Sequence, residues 1–148
     1  MTGGNRPVPE FSRPIALPRL GRDGLFPIHA EAEECQALAR RFGLVTLNRL
    51  EAEVRLTRRD GGRIELAAEL AADIVQSCVV SLAPVAAVIN DRFSLLYAPA
   101  PPEGAETINL DDEIIEVFEG DIIDIGEAVA QQLGLALDPY PRAPGLLE

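Results

Sequence analysis

Two runs of alternating residues, 50–59 and 63–72, meet at Asp60-Gly61-Gly62, and no other stretch limits the fold as strongly. In the first run Leu50, Ala52, Val54 and Leu56 face one way and Glu51, Glu53, Arg55 and Thr57 the other, the pattern of a half-buried strand. In the second, Ile64, Leu66, Ala68, Leu70 and Ala72 share a face, and the strand continues through Ile74 and Val75 towards Cys78. Glycine tolerates the positive φ angles of a tight reversal, so the two runs predict one long hairpin. Its apolar face needs a cover.

Two amphipathic helices supply it. Over 31–42, Ala32, Cys35, Leu38, Ala39 and Phe42 recur at intervals of three and four, Glu31, Glu33 and Glu34 open the helix, Arg40 and Arg41 close it, and Gly43 stands at the C-cap. Over 125–137, Ile125, Val129, Leu133 and Leu137 recur every four residues. Asp124 is placed to cap that helix, and Glu127 to reach back and complete a capping box. Pro139 and Pro141 forbid its continuation. Further strands are expected at 11–17, restricted to an edge by Pro14 and Pro18, and at 25–30, 85–97 and 113–118, with a loop over 99–104 and a bend at Gly120.

The expected architecture is α+β: one domain over 11–145, with a curved, mostly antiparallel sheet of about four to six strands, open or barrel-like, and two main helices. A chain of 148 residues holds one core that buries roughly 70% of the unfolded surface. Residues 1–10 read as a disordered lead-in and 146–148 as a tail of vector origin. No run approaches the length of a membrane span, no leader is visible, and a cytoplasmic location is expected. Cys35 and Cys78 lack metal or disulfide spacing and read as small buried hydrophobes.

Charge is unevenly spread. All 13 basic residues are arginine; residues 1–99 hold 12 of them against 12 acids, whereas 100–148 hold one against 12, so the net charge of −11 arises in the last third. Phosphate would be repelled there, and any nucleic-acid contact falls to the first two-thirds. Arg49, Arg55, Arg58, Arg59 and Arg63 on the hairpin are candidates for bidentate phosphate contact, with Arg13, Arg19 and Arg22 as extensions. The alternative is a solvated hairpin tip balanced by Glu51, Glu53 and Glu65.

Catalytic patterns are weak. His29 is the one imidazole available as a base, no lysine completes a phosphate loop, and the paired carboxylates lack a neighbouring electrophile. No catalytic residue, metal or cofactor is expected. The Pro139-Tyr140-Pro141-Arg142 arm either pins the chain end to the sheet or presents an aromatic and a guanidinium to a partner.

Four blocks also occur in a telling order: Phe11-Ser12-Arg13-Pro14; residues 37–44; residues 75–85; and Asp121-Ile122-Ile123-Asp124-Ile125-Gly126-Glu127 with its helix and Asp138-Pro139-Tyr140-Pro141-Arg142. Together they resemble the YceD family, bacterial proteins named for large ribosomal RNA subunit accumulation, over roughly 11–145. The resemblance marks Cys78, Leu82, Pro84, Asp124, Gly126, Glu127, Pro139, Tyr140, Pro141 and Arg142 as family positions. Relatives often carry Cys-x-x-Cys where this chain has Cys78 and Ser81, so a zinc site would need Cys35, Cys78 and His29 to converge. Relatives also continue into a short C-terminal tail.

The resemblance implies a non-catalytic ribosome-biogenesis factor that binds precursor ribosomal RNA, a basic ribosomal protein, or both. The hairpin would face RNA and the acidic third the protein. The alternatives are a cytoplasmic protein–protein adaptor without RNA contact, or a small metal-dependent hydrolase.

Overall fold

The alternating runs form the backbone of the fold in a computed structural model that describes residues 10–99, 115–118, 121–138 and 141. Strands β3 (Thr46–Arg58) and β4 (Ile64–Ser77) pair antiparallel, with Val54 opposite Ala68 and Leu56 opposite Leu66. The turn between them uses Gly61 and Gly62 at φ 75° and 77°, as the sequence predicts. β3 starts earlier than its alternation suggests. The register shifts between Leu47 and Arg49, and this irregularity lets Leu47 and Leu50, three residues apart, both point into the core.

Strand β2 (Asp23–His29) pairs with β3, β5 (Pro84–Pro99) pairs with β4, and β6 (Ile115–Phe118) lies beside β5, giving the order β2-β3-β4-β5-β6. The first three pairings are antiparallel, and β5 with β6 is parallel. No pairing joins β2 to β6 among the described residues, so the sheet is open and the barrel-like option is not taken. The expected strand over 11–17 shortens to β1 (Pro14–Ala16). It leaves the main sheet to form a separate ribbon with β7 (Ile122–Asp124), a strand that sequence periodicity missed because only three residues pair. Residues 1–9, 100–114, Gly120 and the tail at 146–148 lie outside the described residues.

Helix α1 (Ala32–Phe42) ends at Gly43 with φ 68°, and α2 (Ile125–Ala136) stops one residue before the expected end because Leu137 is already extended. α1 packs on β3, and α2 on β1, β4 and β5. Between helices and sheet lie Leu38, Val54, Leu56, Ile64, Leu66, Ile123, Val129 and Leu133, all essentially without solvent contact. Each such side chain contributes on the order of 1.5–3 kcal/mol by leaving water. The other face of the sheet carries Glu51, Glu53, Arg55, Ala67, Glu69 and Arg92, and it is exposed.

The free edge of β2 is guarded. Ala30 N–H donates to Leu50 O at 2.9 Å, so the even-numbered groups of β2 face β3 and the odd-numbered ones face outward. Pro27 removes one outward donor, and the outward carbonyl of His29 accepts from Arg13 at 2.8 Å. Leu66 sits fully buried between Leu56 and Leu95. Leu66→Ala is expected to lower unfolding free energy by about 3 kcal/mol, read as an earlier urea midpoint at unchanged slope.

Candidate functional site

Two segments far apart in the chain, 11–14 and the start of α2, come together. Asp124 caps α2: its Oδ1 accepts the Glu127 N–H at 3.1 Å and the Arg13 N–H at 2.7 Å, while Oδ2 accepts the Ser12 hydroxyl at 2.7 Å. Arg13 O in turn accepts the Ile125 N–H at 3.1 Å. Phe11-Ser12-Arg13-Pro14 therefore lies across the first turn of α2, where the helix dipole favours the carboxylate. Gly126 is the contact point. A Cβ there would stand 2.7 Å from Phe11 O and 2.8 Å from Arg13 N, and neither backbone atom has freedom to move aside.

The Arg13 guanidinium carries the clasp on to α1. It makes a bidentate pair with Glu34 at 2.7 Å on both oxygens, donates to the carbonyls of Ser12 and His29, and lies 4.6 Å over the Phe11 ring. Glu34 also accepts the Glu31 N–H at 2.8 Å, the cap of α1. The hydrogen bonds from Arg13 hold the Glu34 carboxyl below the usual glutamate range.

Glu127 departs from the expected capping box. Its carboxylate instead takes both nitrogens of Arg41, at 3.1 and 3.0 Å, and Gln131 Nε2 at 3.1 Å. A charged, two-pronged donor from the last turn of α1 outcompetes a single backbone N–H. Arg41 also reaches Glu10 at 3.0 Å.

The five hairpin arginines are not brought together as one patch. Arg49 pairs with Asp73 at 3.0 Å and Glu51 at 3.2 Å, at the far end of β3. Nine residues of strand separate it from Arg58, about 30 Å at 3.3 Å per residue. Arg58 has the core-side parity of its strand, and its guanidinium donates to the carbonyls of Leu17 and Gly21, tying the preceding loop to the hairpin. Arg59 is paired with Glu65, whereas Arg55 and Arg63 have no ion pair among the described residues.

Arg19 and Arg22, on the loop that Arg58 holds, sit at the same end, and Arg22 O accepts the Arg58 N–H. Among the described side chains the tip end thus gathers Arg19, Arg22, Arg55, Arg58, Arg59 and Arg63 against Asp23, Asp60 and Glu65. Arg13 is excluded by its place in the clasp. The break in alternation at Arg58-Arg59 was the available signal that Arg58 had a packing role.

The Cys78 block and the C-terminal arm also meet. Cys78 is fully buried, and its Sγ accepts the N–H groups of Val80 and Ser81 at 3.4 Å. The turn closes through Leu82 N–H to Cys78 O and Cys78 N–H to Ala83 O, with Leu82 in the left-handed region at φ 64° and Pro84 opening β5. Val79 N–H donates to the carbonyl of buried Pro141 at 2.9 Å, and Gln76 to Asp138 O at 2.9 Å, so the arm is held at this turn. Pro139, Tyr140 and Arg142 lie outside the described residues.

His29 is exposed and paired with Glu31 at 2.8 Å, while Cys35 is buried in α1, with its thiol pushed up by burial. Cys35, Cys78 and His29 form no metal-holding group among the described residues. Of the acidic third, Asp124 and Glu127 belong to the clasp, and most of the remainder lies outside the described residues.

Gly126→Ala is expected to cost about 3 kcal/mol through overpacking against backbone, measured by chemical denaturation. Because Arg13 lowers the folded value of Glu34, that pair stabilises the fold above the unfolded glutamate range and loses its effect as pH falls through the folded value. The urea midpoint should therefore decline below about pH 4.3, less steeply in Glu34→Gln than in the parent.

Comparison with known proteins places the chain. The model of the family described as large ribosomal RNA subunit accumulation protein YceD matches residues 66–147. No curated protein and no solved structure matches. The family's name assigns it a role in accumulation of large-subunit ribosomal RNA. Since the match takes in more than half of the chain, including the Cys78 turn and the capped start of α2, the protein belongs to the YceD family.

Proposed function

We propose that this protein supports large-subunit ribosomal RNA accumulation as a non-catalytic binding factor, contacting precursor RNA through the hairpin-tip end of its sheet. The observation that supports this reading is the local charge among the described side chains at that end, six guanidiniums against three carboxylates, in a chain whose net charge is −11. Four of the six, Arg19, Arg22, Arg55 and Arg63, are not in ion pairs among the described residues. Guanidinium groups suit phosphate because they donate in a planar fork and stay charged.

The chemistry elsewhere fits binding better than turnover. The one imidazole, on His29, is held by Glu31 at the surface, and the Cys78 sulfur accepts two backbone donors within a buried turn. Neither nucleophile nor base is assembled there. No helix among the described residues is long and apolar enough to cross a membrane.

The test is a binding titration with a precursor fragment of large-subunit RNA at several salt concentrations. Replacing Arg19, Arg22, Arg55 and Arg63 with Ala should weaken binding and reduce the slope of log K against log salt by about 3. Arg58 is left in place because it supports the fold. Unchanged affinity in the quadruple variant, with its fold intact by circular dichroism, would favour the adaptor without RNA contact.

A further inference from the structure

We infer that the uncovered face of the sheet is a trough for an extended, arginine- or lysine-rich segment of a partner polypeptide. The inference rests on the reading of this protein as a binding factor and names a second surface for it. Both helices lie on the opposite face, and among the described residues nothing packs on the outward rows of β2 to β5. One row runs Pro27, Glu53, Glu69, Arg92 straight across four strands. Beside it the short side chain of Ala71 forms a floor, and the surface holds an open depression of about 1050 Å³ whose lining includes Glu51, Glu53 and Glu69 with Arg92; Arg55 borders it towards the hairpin tip. Four strands at the usual spacing make it about 15 Å across, the length of four to five extended residues.

Charge selects the occupant. Glu53 stands directly opposite Glu69, with Glu51, which Arg49 pairs at 3.2 Å, and Arg55 on either side of it along the same face of β3. Like charges directly opposite each other destabilise a sheet. Arg92 offsets this in part, pairing with Glu69 at 3.1 Å, but both side chains are largely exposed and such pairs are weak. Glu53 has no cationic partner among the described residues. An ammonium or guanidinium seated between the two carboxylates would relieve the repulsion and accept a place that phosphate and neutral peptides have no reason to fill. Such a face steers cationic partners, whereas the tip end attracts anionic ones.

The probe is fluorescein-labelled hexa-arginine titrated into the full chain, followed by anisotropy. Replacing Glu51, Glu53 and Glu69 with Gln should weaken binding about tenfold, while Glu33→Gln, Asp60→Asn and Asp121→Asn together, the same change in net charge, should alter it less than about twofold. Glu53→Gln alone should raise Tm by about 2 °C, because it removes the repulsion without a cavity.

Equal weakening in the two triple variants would overturn the inference by showing attraction to net charge alone. So would a fall in Tm for Glu53→Gln, a stoichiometric magnesium or calcium site that the trough variant abolishes while hexa-arginine binding persists, or self-association in sedimentation that both tip and trough variants dissolve. Failure here is separable from failure of the RNA reading: the trough variant should keep RNA affinity, and the tip variant should bind hexa-arginine at least as tightly as the parent, since the Arg55 it removes borders the trough as a like charge.

Discussion

The carboxylate of Asp124 is the interaction on which the rest of the molecule depends. It takes three donors, two of them from Ser12 and Arg13 more than 110 residues earlier in sequence, and so fixes the N-terminal segment on the first turn of α2. Arg13 then extends the same hydrogen-bonded path to Glu34 at the start of α1, and Glu127 extends it to Arg41 at the end of α1. Both helices are thereby locked to each other and to the chain start on one face of the sheet. Among the described residues no helix lies on the opposite face.

Several of the residues within the family match serve architecture. Gly126 leaves room for the Phe11 carbonyl, the turn at Cys78 receives Pro141 through Val79, Asp124 binds the N-terminal segment to α2, and Glu127 binds α1 to α2. A fold held in this way can present different surfaces without changing its frame, and function then has to be sought in the surfaces. Two stand out here by charge: the arginine-rich hairpin end and the glutamate trough.

Residues 1–99 contain equal numbers of arginines and acids, so their sum conceals a separation that the sheet creates. Alternation carries Glu51 and Glu53 to the same face as Glu69, and the register places Glu53 against Glu69. Arg55 and Arg92 share that face, and the turn and the loop over 17–22 gather further arginines towards the hairpin tip. Polarity of this kind steers encounters and sets orientation more than it adds affinity.

The hairpin, both helices, the Asp124 cap and the Gly43 stop were legible in the sequence because each depends on residues within about four positions, where periodicity and capping act. The partner of Glu127, the packing role of Arg58, the parallel placement of β6 and the split of the hairpin arginines were not. Those were decided between segments tens of residues apart, where a charged side chain takes whichever donor the assembled fold brings nearest. Alternation told which way Glu53 and Glu69 point; only the pairing of β3 with β4 put them face to face.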